Sequence, residues 1–224
     1  TEIYTLSLHD ALPISLALIP GGTGNDIARS LGISPGDIGS TFSRIEIGAT
    51  IKYDVGLERV NGRRFVSFIG CGFPALVAEN ANRMRLLKGR LVFFISLYAM
   101  VRRMKGIPVA ITVDGVREEM ICTSIMVHNT PYTGGGLKIA PGALVDDGEL
   151  DVVVVGEIGA LELMRNFPGL YAGTHLNHPA FRLVRGKRIG IELPERQLVS
   201  YDGETGWTEK LDIEVLPGAL RIIV

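Results

Sequence analysis

Apolar and polar positions change rhythm several times along the chain, and each change predicts an element. Residues 16–20 (LALIP) form a short apolar run that ends in glycines, reading as a strand; the periodic NDIARSLGI that follows reads as a helix. Residues 37–47 predict a second short helix after the Ser34-Pro35-Gly36 break. Residues 51–60 and 64–69 predict a hairpin around Asn61-Gly62, a strong turn pair. A helical stretch over 75–104 follows, pinched at Lys88-Gly89. Val109, Ile111 and Val113 then alternate into Asp114-Gly115, a second hairpin signal. Further strands are predicted at 121–127, 150–155, 188–193, 198–201 and 211–216, with one helix over 160–171. Many short strands with turn signals predict an antiparallel sandwich or barrel from residue 51 onward, preceded by the tail of an α/β unit.

Composition narrows the picture. The chain has 224 residues, 46% hydrophobic, and its 23 basic side chains nearly balance 24 acidic ones. This excludes disorder as the main state and argues against a nucleic-acid binder that works through a basic surface. Two cysteines, Cys71 and Cys122, exclude a disulfide framework and read as small core residues, so a reducing, cytoplasmic setting is the expectation. The longest apolar run, 91–101, is too short to span a bilayer. Residues 1–15 (TEIYTLSLHDALPIS) lead poorly into the strand and resemble translated sequencing-adapter sequence. They are expected to be a non-native scar, outside the fold and its function.

Three constellations carry candidate chemistry. Pro20-Gly21-Gly22-Thr23-Gly24-Asn25-Asp26 lies between strand and helix, where free N–H groups and the helix dipole suit phosphate. Capping of the helix by Asn25 or Asp26 explains the same residues equally well. Asp146-Asp147-Gly148-Glu149 offers hard oxygens for Mg²⁺ or Ca²⁺, or is a solvated turn. Asp202-Gly203-Glu204 is, by spacing, a hairpin turn. The Gly70-x-Gly72-x-x-Ala75 pattern is better read as tight packing than as a dinucleotide site, because no strand follows at crossover distance. His175-x-x-His178 lies beside Gly173, Asn177 and Pro179, which indicates a loop with structural hydrogen bonds and no zinc site. His128 reads as a core or rim histidine, and Lys138 and Arg29 as surface cations that could assist an anion.

The segments Pro20-x-Gly22-Thr23-x-Asn25-Asp26-x-Ala28-Arg29, GGGLKIAPGALVDDGELDVVVV (134–155), YAGTHLNHP (171–179), VSYDGE (199–204) and IEVLPGALRIIV (213–224) occur in an order that resembles the bacterial diacylglycerol kinase-like lipid kinases, relatives of sphingoid-base and NAD kinases. The resemblance covers 16–224. It implies an α/β nucleotide-domain remnant (16–48) followed by a mainly antiparallel β-sandwich domain with a few helices (49–224). It implies transfer of the ATP γ-phosphate to the hydroxyl of diacylglycerol, giving phosphatidic acid, with Glu204 as proton acceptor. Gly22, Thr23, Asn25 and Asp26 fall at nucleotide positions. The Mg²⁺ positions are the Asp147 side chain and the Leu144 and Glu149 carbonyls. Three departures stand out. The family's upstream G-G-D-G-T motif is not in this sequence, so poor turnover is expected; Pro74 replaces the Asp of G-F-D; and Ser67 replaces an Asn. The acyl chains need an apolar cleft, in the sandwich or beside Phe93-Phe94. Contact with the bilayer is expected to be peripheral and transient, and a homodimer is compatible. The rival readings are a non-catalytic lipid- or partner-binding fragment and, less favoured, an NAD kinase-type nucleotide kinase.

Overall fold

The computed structural model describes residues 14–22, 24–34, 36–83, 101 and 104–224. In chain order the described elements are β1 (Ser15–Ala17), α1 (Asp26–Ser30), α2 (Ile38–Ile47), β2 (Thr50–Glu58), β3 (Arg63–Phe65), β4 (Phe68–Gly72), α3 (Phe73–Arg83), β5 (Ile107–Val113), β6 (Val116–Cys122), β7 (Ser124–His128), β8 (Leu150–Val155), α4 (Ala160–Ala172), a 3₁₀ turn (His175–Asn177), β9 (Phe181–Gly186), β10 (Arg188–Tyr201) and β11 (Glu204–Ile223).

The strands share one continuous, largely antiparallel sheet, ordered β3-β2-β11-β10-β4-β7-β8-β9. β10 folds it into two layers. Its first half pairs with β5 (Ile191↔Ile111), its second half with β4 (Ser200↔Gly70), and the register is interrupted between Glu192 and Gln197. Between the layers lies the main core, with Ile69, Ile111, Ile125, Val152, Ile191 and Ile213 among its members. A second core lies on the opposite face of β7, β8 and β9, where Met126, Val153, Val155 and Phe181 meet Val77 of α3 and Leu163 and Leu170 of α4. β8 is therefore buried on both faces, which is why its sequence LDVVVV is almost wholly apolar rather than alternating. The mainly antiparallel sandwich with few helices agrees with the sequence reading.

The N-terminal elements join the same sheet. β1 runs parallel to the end of β11 (Leu16↔Ile222), and β2 pairs with that end from the other side (Ile51↔Ile222). Tyr53, Val145 and Ile222 form a third small core with Leu18, Ile27 and Leu31 packed on it. Ser15, placed by the sequence reading in the 1–15 segment, is the first residue of β1.

Several boundaries differ from expectation. The strand expected at 64–69 is two strands, because the Asp202 carboxylate takes the N–H groups of Val66, Ser67 and Phe68 that a continuous ladder would use. The strand expected at 121–127 divides at Thr123 into β6 and β7. The pieces 188–193 and 198–201 are one strand, β10, and 211–216 is the middle of the 20-residue β11. β9 was not anticipated. The Asp114-Gly115 hairpin forms as expected, with φ of 47° and 88° and Val113 opposite Val116. The helix expected over 75–104 begins at Phe73, with Pro74 in its first turn, where a missing N–H costs nothing. Lys88-Gly89, Phe93-Phe94 and the 91–101 run up to residue 100 lie outside the described residues, as do Thr23 and Pro35.

Candidate functional site

Segments distant in sequence meet around a cavity of about 520 Å³. Its walls are mainly apolar: Phe73 and Val77 from α3, Leu163, Phe167 and Leu170 from α4, and Met126, Val155 and Phe181 from the sheet. Its polar lining includes Asn25 and Asp26, Ser67, Thr123 and Ser124, Thr133 and Gly134, and Asp202 and Gly203. The glycine loop, the 134–136 glycine run and the 202–204 hairpin are thus brought to one place.

Asn25 holds the glycine loop together. It sits before α1 in the left-handed region (φ 50°), which Asn tolerates better than most residues. Its side chain makes no cap to the helix. Instead Oδ1 accepts the Gly22 N–H at 2.9 Å, and Nδ2 donates to the carbonyls of Gly22 and Pro20 at 2.6 and 3.2 Å. Helix capping therefore gives way to loop stitching. The Gly22 amide is used inside the turn and the Gly21 amide donates to Ile19 O at 2.8 Å, so fewer amides face outward than expected. Asp26 does not cap α1 in the expected sense either. Its Oδ2 accepts the Gly135 N–H at 2.8 Å and its Oδ1 pairs with Arg29 at 2.7 Å. Burial lifts its pKa, opposed by the Gly135 N–H and the Arg29 charge. Residues 134, 135 and 136 have φ of 61°, 84° and 112°, a run of backbone that requires glycine.

At the β10–β11 turn, Asp202 (φ 48°) takes three N–H groups, from Val66, Ser67 and Phe68, at 2.7, 2.9 and 2.8 Å. Its own N–H donates to Phe68 O at 3.0 Å. Asp202 and Gly203 face the cavity. Glu204 is not among its liners; its side chain is 81% exposed and lies 3.2 Å from Arg63, whose guanidinium stacks on Tyr201. Ser67 Oγ is 2.7 Å from Thr130 Oγ1, tying the hairpin anchor to the loop that leads into the glycine run.

The Asp147 turn is organised by Arg185. This guanidinium pairs with Asp147, with Glu149 at 3.2 Å and, more loosely, with buried Asp151 at 3.6 Å. The second Asp147 oxygen accepts the Glu149 N–H at 3.1 Å. Both oxygens being engaged, Mg²⁺ does not fit this arrangement unless Arg185 moves away. Among the described residues no group of three or more His, Cys, Asp or Glu side chains is arranged to hold a metal. The backbone of the turn is held from behind by Asp54, a buried carboxylate that accepts Gly148 N–H and Gly218 N–H at 2.7 Å each.

Sequence reasoning missed Asp54, Arg63, Arg185 and the anchoring role of Asp202. Only Asp54 left a signal, a carboxylate between the inward-facing Tyr53 and Val55 of a strand. The remaining candidates are structural. Gly72 (φ 81°) leaves no room for a Cβ, which would meet Thr123 O at 2.4 Å, so the Gly70-x-Gly72 pattern is a packing feature. Buried His175 is 3.0 Å from Ile139 O, while His178 reaches Glu162 at the surface. His128 is fully buried, stacks on Phe68, and lies with Nδ1 3.2 Å from Thr130 O. Cys71 and Cys122 are buried with thiol pKa values pushed up by desolvation, as core residues should be. Arg29 and Lys138 flank the Tyr132 ring, and Arg29 is largely committed to Asp26 and Gly24 O.

Comparison with known proteins places this geometry. The YegS C-terminal NAD kinase beta sandwich-like domain matches residues 67–224, and the diacylglycerol kinase catalytic domain matches residues 2–57, a match that begins within the 1–15 segment. A diacylglycerol kinase of Mycobacterium tuberculosis is 31% identical over 215 residues, covering 94% of this chain and 69% of the relative. The Bacillus subtilis diacylglycerol kinase is 27% identical over 193 residues, covering 86% and 63%. Two Bacillus anthracis crystal structures, of proteins assigned as diacylglycerol kinases, superpose with TM-scores of 0.74 and 0.67 at 32% and 28% identity. Each covers 93% of this chain, which spans 68% and 66% of theirs. The chain belongs to the diacylglycerol kinase family, with its larger part built as that family's NAD kinase-like β-sandwich.

Proposed function

We propose that this chain is the lipid-acceptor portion of an ATP-dependent kinase that phosphorylates the hydroxyl of diacylglycerol or a similar lipid, giving phosphatidic acid. The observation that carries this is the cavity. An apolar chamber suits an acyl chain, and its polar lining includes residues of the two segments that the family resemblance assigns to phosphate and acceptor chemistry, 20–26 and 202–204. In this reading the hydrocarbon lies between α3, α4 and the sheet, and the hydroxyl stands near Asp202 and Gly203. Glu204, swung from Arg63 toward that rim, accepts the hydroxyl proton. The lipid oxygen forms a bond to the γ-phosphorus, and the bond from γ-phosphorus to the bridging oxygen breaks, with ADP as leaving group. Gly22, Thr23, Asn25 and Asp26 shape the nucleotide side, with Asp26 fixing the glycine loop to the 134–136 run. No step is routed through Mg²⁺, since Arg185 pairs with Asp147, the one side chain proposed for it beside the Leu144 and Glu149 carbonyls. The protein works from the cytoplasmic side as a peripheral visitor to the bilayer; no helix among the described residues is long and apolar enough to cross a membrane.

Transfer of labelled γ-phosphate to micellar diacylglycerol tests this. We expect weak but lipid-dependent labelling that Glu204→Gln removes. Failure to bind adenine nucleotide, with diacylglycerol left unlabelled, overturns it. The outward position of Glu204 favours one rival, a lipid-binding module without transfer, whose signature is lipid bound with no label incorporated. An NAD kinase-type acceptor is disfavoured because the chamber walls are apolar and a ribose is not.

A further inference from the structure

The Asn61-Gly62 turn carries chemistry that phosphoryl transfer does not use. It is the only Asn-Gly pair among the chain's seven asparagines, and both residues are exposed between β2 and β3. Glycine has no side chain to shield its nitrogen, so an unbonded Gly N–H beside an asparagine amide sets a nucleophile next to an electrophile. The Gly62 N–H makes no hydrogen bond among the described residues. By contrast, the Gly148 N–H that follows Asp147 is committed to Asp54 at 2.7 Å.

Glu58 restrains the pair. This carboxylate is fully buried and accepts the N–H groups of Val60 and Asn61 at 2.9 and 3.0 Å, and Asn61 Nδ2 at 2.9 Å. The last bond must break before Nδ2 leaves as ammonia, and a hydrogen bond to a charged acceptor is strong enough to slow that departure about tenfold or more. The strand beyond is closely seated. Glu58 pairs with Arg63 and Gly56 with Phe65, whose buried ring covers Gly56 so tightly that no Cβ fits there. The next three amides, of Val66, Ser67 and Phe68, are those that Asp202 holds.

We propose that Asn61 is a site of spontaneous deamidation that Glu58 holds back in the closed turn, and that conversion keeps the turn open once it has opened. The Gly62 nitrogen, giving up its proton, bonds to Asn61 Cγ; the Cγ–Nδ2 bond breaks and ammonia leaves. Water then adds to either carbonyl of the cyclic imide and opens it to aspartate or isoaspartate. Aspartate sets a second carboxylate against buried Glu58 and removes a donor from it. Isoaspartate also lengthens the main chain by one atom within the loop that Glu58 and Arg63 close. Phe65 then leaves its seat on Gly56, and the 66–68 amides loosen from Asp202.

Ageing the chain in heavy-oxygen water, followed by peptide mapping, tests this, because each conversion writes one heavy oxygen into the product. Label should enter Asn61 ahead of every other asparagine, and about tenfold more slowly in the folded chain than in urea. Hydrogen exchange on the aged, labelled fraction should find the 63–68 amides about tenfold less protected, with those of β8 unchanged. Asn61→Asp should reproduce that loss, whereas Asn61→Gln should take up no label at this position. If Asn61→Asp does not fold, the aged unmodified chain decides. Label entering another asparagine first overturns the site, and equal rates in the folded chain and in urea overturn the restraint by Glu58. Unchanged protection of 63–68 in the labelled fraction overturns the opening of the turn.

Discussion

At the residue scale, the site depends on how a few carboxylates are committed. Asp202 is bound by three backbone N–H groups and works as an anchor, while Glu204 two positions later is exposed and paired with Arg63. Because exposed ion pairs contribute little, Glu204→Gln should leave the unfolding midpoint almost unchanged, within about 0.5 kcal/mol, while eliminating phosphoryl transfer. A large loss of stability in a denaturant titration would show that Glu204 is structural. His128 makes a different prediction. Burial depresses its pKa to about 4, below the ordinary 6.5, so the unfolded chain binds a proton that the folded chain refuses. Stability on this account is full above pH 6.5 and falls as the pH drops toward 4, by up to about 1.4 kcal/mol per unit. Urea melts at pH 7.5, 6 and 5 check this, and His128→Leu should flatten the part of the slope that His128 contributes. His175, also depressed by burial, adds in the same direction.

At the element scale, close backbone approaches and shared carboxylates set the loops. Where β4 passes into α3, Gly72 has a positive φ, and Phe73 N–H donates to Thr123 O at 3.1 Å. Gly72→Ala combines a left-handed alanine with a clash against backbone, and should cost about 3 kcal/mol in equilibrium unfolding. The 144–149 turn yields a sharper test of the proposed metal position. Since Arg185 engages Asp147 and Glu149, Mg²⁺ should leave the melting temperature of the unmodified chain unchanged at millimolar concentration. Arg185→Ala, freeing three carboxylates, should become Mg²⁺-stabilised. A Mg²⁺ shift in the unmodified chain that is lost in Asp147→Asn would show that the cation displaces the guanidinium.

At the scale of the whole molecule, β11 joins the two portions. Its residues 221–223 pair with β1 on one side and with β2 on the other, and Gly218 at its register break is held by Asp54. Removing 218–224 should therefore release β1 and the glycine loop before it disturbs the main core. Limited proteolysis should then cut first within 14–48, with the fragment from about residue 50 surviving; uniform digestion would show that the sheet unfolds as one unit.

Local rules made much of this readable from the chain alone. Asn61-Gly62 and Asp114-Gly115 announced hairpins because such pairs tolerate the positive φ that Gly62, Asp114 and Gly115 adopt. The apolar run 150–155 announced a strand, and the ordered motifs announced the family. Position in space was not readable. Nothing local shows that Asp202 breaks the strand at 66–67, that Asn25 folds back onto its own loop, that Arg185 reaches Asp147 across 38 positions, or that Glu204 points away from the chamber its neighbours line. Turn chemistry and periodicity act between residues a few positions apart, and the sequence by itself determined those. The cavity, the carboxylate partners and the seam through β11 arise from contacts between distant segments, whose register and distance are set only when the sheet closes and its cores pack.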